Sequence, residues 1–203
     1  MKAYKLTDSS MRTYGGCQWV LGEAKTALGT GQLCTPRWLH YYSHPALAVL
    51  FNPIHAALNP QTMRLFEATA TGKHKHDRGL KSGCTKLTLV RELPVPVITN
   101  DQRVEFAIRV AMTCCHEAEW LLWAQGWIDG TDRSTTAAAA ATRAATVATT
   151  ADATAATYAA ATAANAAHYA NAAAAATYAA NAADDAAAEN VDFEAIIEEV
   201  MNR

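Results

Sequence analysis

The chain has 203 residues, 51% of them apolar, and a formal net charge of −2 from 17 Lys and Arg against 19 Asp and Glu. That length fits one compact domain, or a small domain with an appendage. Five cysteines, an N-terminus without an apolar stretch and the lack of a long run of bulky apolar residues argue against a disulfide-stapled secreted domain, a signal peptide and a membrane span.

Residues 1–97 read as an α+β head with a small mixed sheet. Ala3–Leu6 suggests a first strand, and Cys17–Leu21 alternates as a second. Gly29-Thr30-Gly31 marks a turn. Ser43-His44-Pro45 starts a helix, with Ser43 as cap and Pro45 in the first turn, continuing through Ala46–Phe51 until Pro53 interrupts it. Ile54–Leu58 makes a further turn. Met63–Ala68 and Thr85–Val90 alternate as strands, joined by a polar segment from Gly72 to Gly83.

Residues 98–133 read as two helices packed on the head. Thr99 or Asn100 caps the first, whose apolar stripe is Val104, Ala107, Ile108 and Ala111. Trp120, Trp123 and Trp127 fall on one face of the second and are expected to hold it on the sheet.

The composition changes at Arg133. All ten Gly and all six Pro precede it, and residues 1–133 carry 15 basic and 11 acidic groups against 2 and 8 afterwards. Ser134–Asn190 holds 32 Ala in 57 positions, so residues 134–189 are predicted helical, with Asp132 or Ser134 as cap. One continuous helix there would run about 84 Å; a folded-back hairpin or bundle is equally open. Val147, Tyr158 and Tyr169 recur every 11 residues and so share a face. Thr135, Thr146 and Thr157 share that spacing, as in the helical antifreeze peptides these Ala- and Thr-rich turns resemble, but His168 and Ala179 end the series. Asp192 caps a last amphipathic helix bearing Phe193, Ile196, Ile197 and Val200. Residues 134–203 are therefore expected to form a homo-oligomer through Val147, Tyr158, Tyr169, Phe193, Ile196, Ile197 and Val200.

Few residues suggest chemistry. Lys73-His74-Lys75-His76-Asp77-Arg78 with Lys81 is the most basic run; Lys73, Lys75 and Arg78 could grip a phosphate or nucleotide, although nothing further signals nucleic acid. His74 and His76 alternate and could touch one metal, but no third ligand follows from spacing. Cys114 and Cys115 are adjacent, a poor arrangement for sharing a metal on a helix, and read as buried thiols. No phosphate loop, dinucleotide fingerprint or nucleophile elbow is present.

Two resemblances add to this. Tyr4-Lys5, then His40-Tyr41-Tyr42 leading into Ser43-His44-Pro45-Ala46, resembles the strand-and-helix step of ADP-ribosyltransferase-like domains over residues 3–71. That implies an NAD-binding enzyme with His40 and Tyr42 near the ligand and Glu67 or Glu92 as candidate carboxylates. The whole layout is similar to a group of uncharacterised phage and prophage proteins, through Met1–Lys5, Leu33-Cys34, Leu39-His40, Pro45–Ala48, Leu65–Ala68, Gly79–Gly83, Arg103–Phe106 and Gly130–Ser134 before the Ala tract. This implies a protein of the bacterial cytoplasm.

The favoured reading is a non-enzymatic phage accessory protein. It oligomerises through its tail and binds a host protein or nucleotide-like ligand at Lys5, His40, Tyr42, Lys73, Lys75 and Arg78, with no metal or cofactor, to interfere with host defence. The alternatives are the ADP-ribosyltransferase-like enzyme and a structural element of the virion.

Overall fold

Lys2–Thr7 forms β1, where alternation turns Ala3 and Lys5 to one face and Tyr4 and Leu6 to the other. The structure is a computed structural model that describes residues 1–77, 79, 81–147, 163 and 191–203. A short ribbon follows, made of β2 (Arg12–Thr13) and β3 (Cys17–Gln18) across the turn Tyr14–Gly16. Next come β4 (Ala24–Thr26), β5 (Leu39–Tyr41), α1 (Pro45–Leu50) and α2 (Asn52–His55). Two long strands, β6 (Arg64–Asp77) and β7 (Lys81–Leu93), complete residues 1–97.

The main sheet runs β1-β6-β7-β4, and β5 also pairs with β7, alongside Ser82–Cys84. Every pairing is antiparallel, which corrects the mixed sheet expected from sequence. The physical reason lies in the connections. β6 and β7 are joined by a tight turn, and a parallel pair would need a long crossover. Much of the polar segment from Gly72 to Gly83 is itself strand, extending this hairpin beyond the reach of β1.

Tyr4 and Tyr42 form an isolated bridge, with both N–H···O bonds at 2.9 Å. Since β1 lies at one end of the order and β5 pairs with β7, this bridge curls the sheet back on itself. The inner face gathers Ala3, Trp19, Tyr41, Phe66, Ala68, Ala70, Cys84, Leu87 and Leu89 into one buried cluster. The buried helix α1 packs against β1. Its cap is His44 rather than Ser43: the Nδ1 of His44 accepts from the Ala46 N–H at 3.2 Å, and the extended backbone of His44 leads into Pro45 at the first helical position.

The chain divides into two units, Met1–Val97 and Ile98–Arg203. In the second, α3 (Asn100–Met112) opens on a capping box in which Thr99 accepts from Gln102 N–H and Gln102 reaches back to Thr99 N–H. Cys114 and Cys115 lie in the turn after α3, and Glu117 caps α4 (Ala118–Asp129). Gly130, at φ 77°, ends α4 in the left-handed conformation that glycine tolerates best. Ser134 caps α5 (Thr135–Val147) by accepting from the Ala137 N–H. Trp120, Trp123 and Trp127 are buried, and the Arg133 guanidinium lies 4.3 Å over the Trp127 ring.

Asp192 caps α6 (Phe193–Met201), which packs on α3. The Phe106 and Phe193 ring centroids are 6.4 Å apart, and Arg109 bridges Glu105 and Glu199. Phe193, Ile197 and Val200 are buried there, with Ile196 half-buried at the edge. The stripe thus forms part of this unit's own interior, where α3 supplies a complementary apolar face within the same chain. Residues 98–133 fall in the same unit as α6. Val147 ends α5, while Tyr158 and Tyr169 lie outside the described residues, as does most of the proposed Ala-rich rod. Among the described residues no helix is long and apolar enough to cross a membrane.

Candidate functional site

Lys5 is a charged residue on the inner face of a small sheet, directly opposite Phe66 in the β1–β6 register. Its ammonium donates to the His40 carbonyl at 2.7 Å and sits 5.5 Å from the centre of the Trp19 ring. Neither neighbour is a carboxylate. Burial favours the neutral amine and lowers the Lys5 pKa to about 8.

Lys5 lines a cavity of about 460 Å³, bounded by Trp19, Trp38, His40, Tyr42, His55 and Lys81 among others. The ribbon places Tyr14 and Cys17 at its margin, and the loop before β5 contributes Cys34 and Thr35. None of the described lining residues is Asp or Glu.

Hydrogen bonding fixes which ring nitrogens carry protons. His40 Nε2 lies 2.5 Å from the Leu33 carbonyl, which can only accept, so Nε2 bears the hydrogen and Nδ1 is the basic nitrogen. Burial holds His40 below the usual histidine range, with Lys5 and Lys81 adding to the effect and the Leu33 bond opposing it. The Tyr42 hydroxyl lies 2.9 Å from His55 Nδ1. Burial pushes the Tyr42 phenol upward, so it stays protonated and donates, leaving His55 with its hydrogen on Nε2. His55 is pushed down to about 4, by burial first and then by Lys81 and His40. Trp38 is buried, and among the described residues its Nε1–H has no hydrogen-bond partner.

Three of the six residues expected to bind a ligand, Lys5, His40 and Tyr42, thus meet in one cavity. Lys73 and Lys75 do not line it. They lie exposed on the outer part of β6, where Lys75 Nζ donates to the Gly31 carbonyl at 3.0 Å. Their position follows from the length of the hairpin, which carries them past the closed part of the sheet. Arg78 lies outside the described residues. His74 Nδ1 faces the Tyr41 hydroxyl at 3.0 Å and His76 Nδ1 the Ser82 hydroxyl at 2.8 Å, with the two rings stacked. Among the described residues no group of three or more His, Cys, Asp or Glu is placed to hold a metal. Glu67 is paired with Arg91 and Glu92 with Arg64, and neither lines the cavity.

Sequence reasoning missed His55 and Trp38, and met Lys81 only as a member of the basic run. His55 is brought in by α2, and Trp38 by the loop entering β5; neither position has a local pattern. Gly83, opposite His40 in register, is the one informative signal. A Cβ there would stand 2.5 Å from Leu33 Cδ1 and 3.0 Å from Trp38 Cβ. Gly83→Ala is therefore expected to displace this wall and cost about 1–3 kcal/mol, as overpacking does. The check is a lower urea midpoint together with shifted tryptophan fluorescence; an unchanged midpoint would show that Leu33 and Trp38 yield freely.

Comparison with known proteins bears on this half of the chain. Residues 1–101 match the family model of a domain of unknown function, DUF7666. The DUF7666 match thus spans the curled sheet, the cavity and the first residues of α3. No curated protein and no solved structure matches the chain.

Proposed function

We propose that the DUF7666 region binds a small organic anion carrying a planar, unsaturated group, and that the protein is a non-enzymatic binding protein. The observation that carries this is the donor set of the cavity. Lys5, Lys81 and His55 Nε2–H supply hydrogen bonds and positive charge, with no carboxylate among the described lining residues to neutralise them. Trp19, Trp38 and Tyr42 supply flat apolar walls. A phosphate ester or a carboxylate of nucleotide size fits that chemistry.

The similarity of the layout to phage and prophage proteins supports placing this activity in the cytoplasm of an infected bacterium. There the protein would act as an accessory protein that holds a host-made anion and so interferes with defence. The ADP-ribosyltransferase reading is less well supported, since it would need a carboxylate beside the ligand and Glu67 and Glu92 are tied to arginines elsewhere.

Isothermal titration of the full chain with adenosine 5′-monophosphate, pyridoxine 5′-phosphate and uncharged adenosine tests the proposal. Saturable binding of at least one phosphate ester, but not of adenosine, is expected. Lys81→Gln should weaken it about tenfold, as loss of one charge-assisted hydrogen bond does. Equal binding of adenosine, indifference to Lys81→Gln, or silence with both esters would each overturn it.

A further inference from the structure

We infer that Lys5 forms a reversible imine with a carbonyl-bearing organic anion held in the head cavity. This rests on the anion-binding reading above and narrows it to aldehydes and ketones that also carry a phosphate or carboxylate.

The geometry sets Lys5 apart from an ordinary anion-binding lysine. Its ammonium meets a backbone carbonyl and an indole face, and among the described residues no carboxylate pairs with it. By contrast, the Lys2 ammonium lies 3.8 Å from Glu67. Lys5 is only partly covered, and it forms part of the cavity wall, so a ligand in the cavity can meet the amine. Lys81 and His55 Nε2–H remain to hold the anionic group. His40 keeps Nδ1 as its basic nitrogen, a proton acceptor on the same wall. Burial supports the same conclusion, because an amine with a pKa of about 8 is neutral far more often at neutral pH than an ordinary lysine, by a factor of about three hundred.

The step balances without oxidant or reductant. The neutral Lys5 nitrogen adds to the carbonyl carbon, one amine proton passes to the carbonyl oxygen to give a carbinolamine, and the second amine proton follows as that oxygen leaves as water and the C=N bond forms. Hydrolysis reverses it, so the ligand is captured and released unchanged.

Pyridoxal 5′-phosphate is a suitable probe, since it combines a flat ring, a phosphate and an aldehyde, and pyridoxine 5′-phosphate is its counterpart without the carbonyl. The full chain is incubated with pyridoxal 5′-phosphate and cyanoborohydride at neutral pH, and labelling is mapped by peptide mass spectrometry. Lys5 is expected to be labelled about tenfold faster than the mean of the other lysines, part of the gain in neutral amine being offset by its lower basicity. Lys5→Arg should remove that fast label and leave the slower labelling of the other lysines unchanged. If pyridoxine 5′-phosphate binds but Lys5 is labelled no faster than exposed lysines, the imine is overturned and the binding reading stands. If neither phosphate ester binds and the label is indiscriminate, both fall.

Discussion

Phe193→Ala is expected to lower the stability of the second unit by about 3–5 kcal/mol, the usual cost of removing a fully buried aromatic side chain. Phe193 has essentially no accessible surface, and its ring packs against Phe106. The contact joins residues 87 positions apart in sequence, so losing it releases α6 from α3 and exposes Ile197 and Val200 as well. Denaturant unfolding followed through Trp120, Trp123 and Trp127 reads the effect. Because the contact is internal to one chain, the mass in solution should be the same for the variant and the parent. A fall in mass on substitution would mean that the stripe is buried against a second copy, as the sequence alone suggested. An unfolding curve indistinguishable from the parent's would mean that α6 is not packed on α3 at all.

Acid should destabilise the head through His55. Its folded pKa, about 4, lies well below the ordinary histidine value of 6.5. Below pH 6.5 the unfolded chain takes up a proton that the folded chain refuses until about pH 4. The unfolded state therefore binds more protons across that window, and stability falls as pH is lowered through it. His40 and His74, also held low by burial, act in the same direction. Between pH 7.5 and 5.0 the loss from His55 alone is about 2 kcal/mol, one proton over 1.5 pH units. His55→Gln keeps an acceptor for the Tyr42 hydroxyl but cannot titrate, so the difference in urea midpoint between the two pH values should shrink by that amount. An unchanged difference would show that His55 takes up its proton in the folded protein as readily as in the unfolded one.

The local signals in the sequence located most of the elements. Alternation marked β1, β6 and β7, the spacing of Val104, Ala107, Ile108 and Ala111 marked the buried face of α3, and Asp192 before an apolar stripe marked the start of α6. Strand direction was not legible, because it depends on which strands meet, and β5 pairs with β7 across about forty residues. The cap of α1 was misplaced by one residue because histidine, through Nδ1, did what Ser43 was expected to do. The site was half legible. Lys5, His40 and Tyr42 were suggested by a resemblance between distant segments, and the Tyr4–Tyr42 bridge is what joins those segments. His55, Trp38 and Lys81 reach the cavity from three separate elements, and nothing in their immediate neighbours marks that convergence.

That bridge has a further consequence. An open sheet ends in strands whose unpaired amides and carbonyls invite pairing with other chains. Here β1 meets β6 along one side, and on the other Tyr4 is occupied by Tyr42, so the middle of the strand that would have been an edge is already paired. The open stretch moves instead to β6 beyond Ala70, on the side where β1 has ended. There the chain carries Gly72 at φ 84°, an irregularity in register between Thr71 and His74, and the exposed charges of Lys73 and Lys75. A distorted, positively charged edge repels a second copy of itself, so the same lysines that proved remote from the cavity act as guards against aggregation.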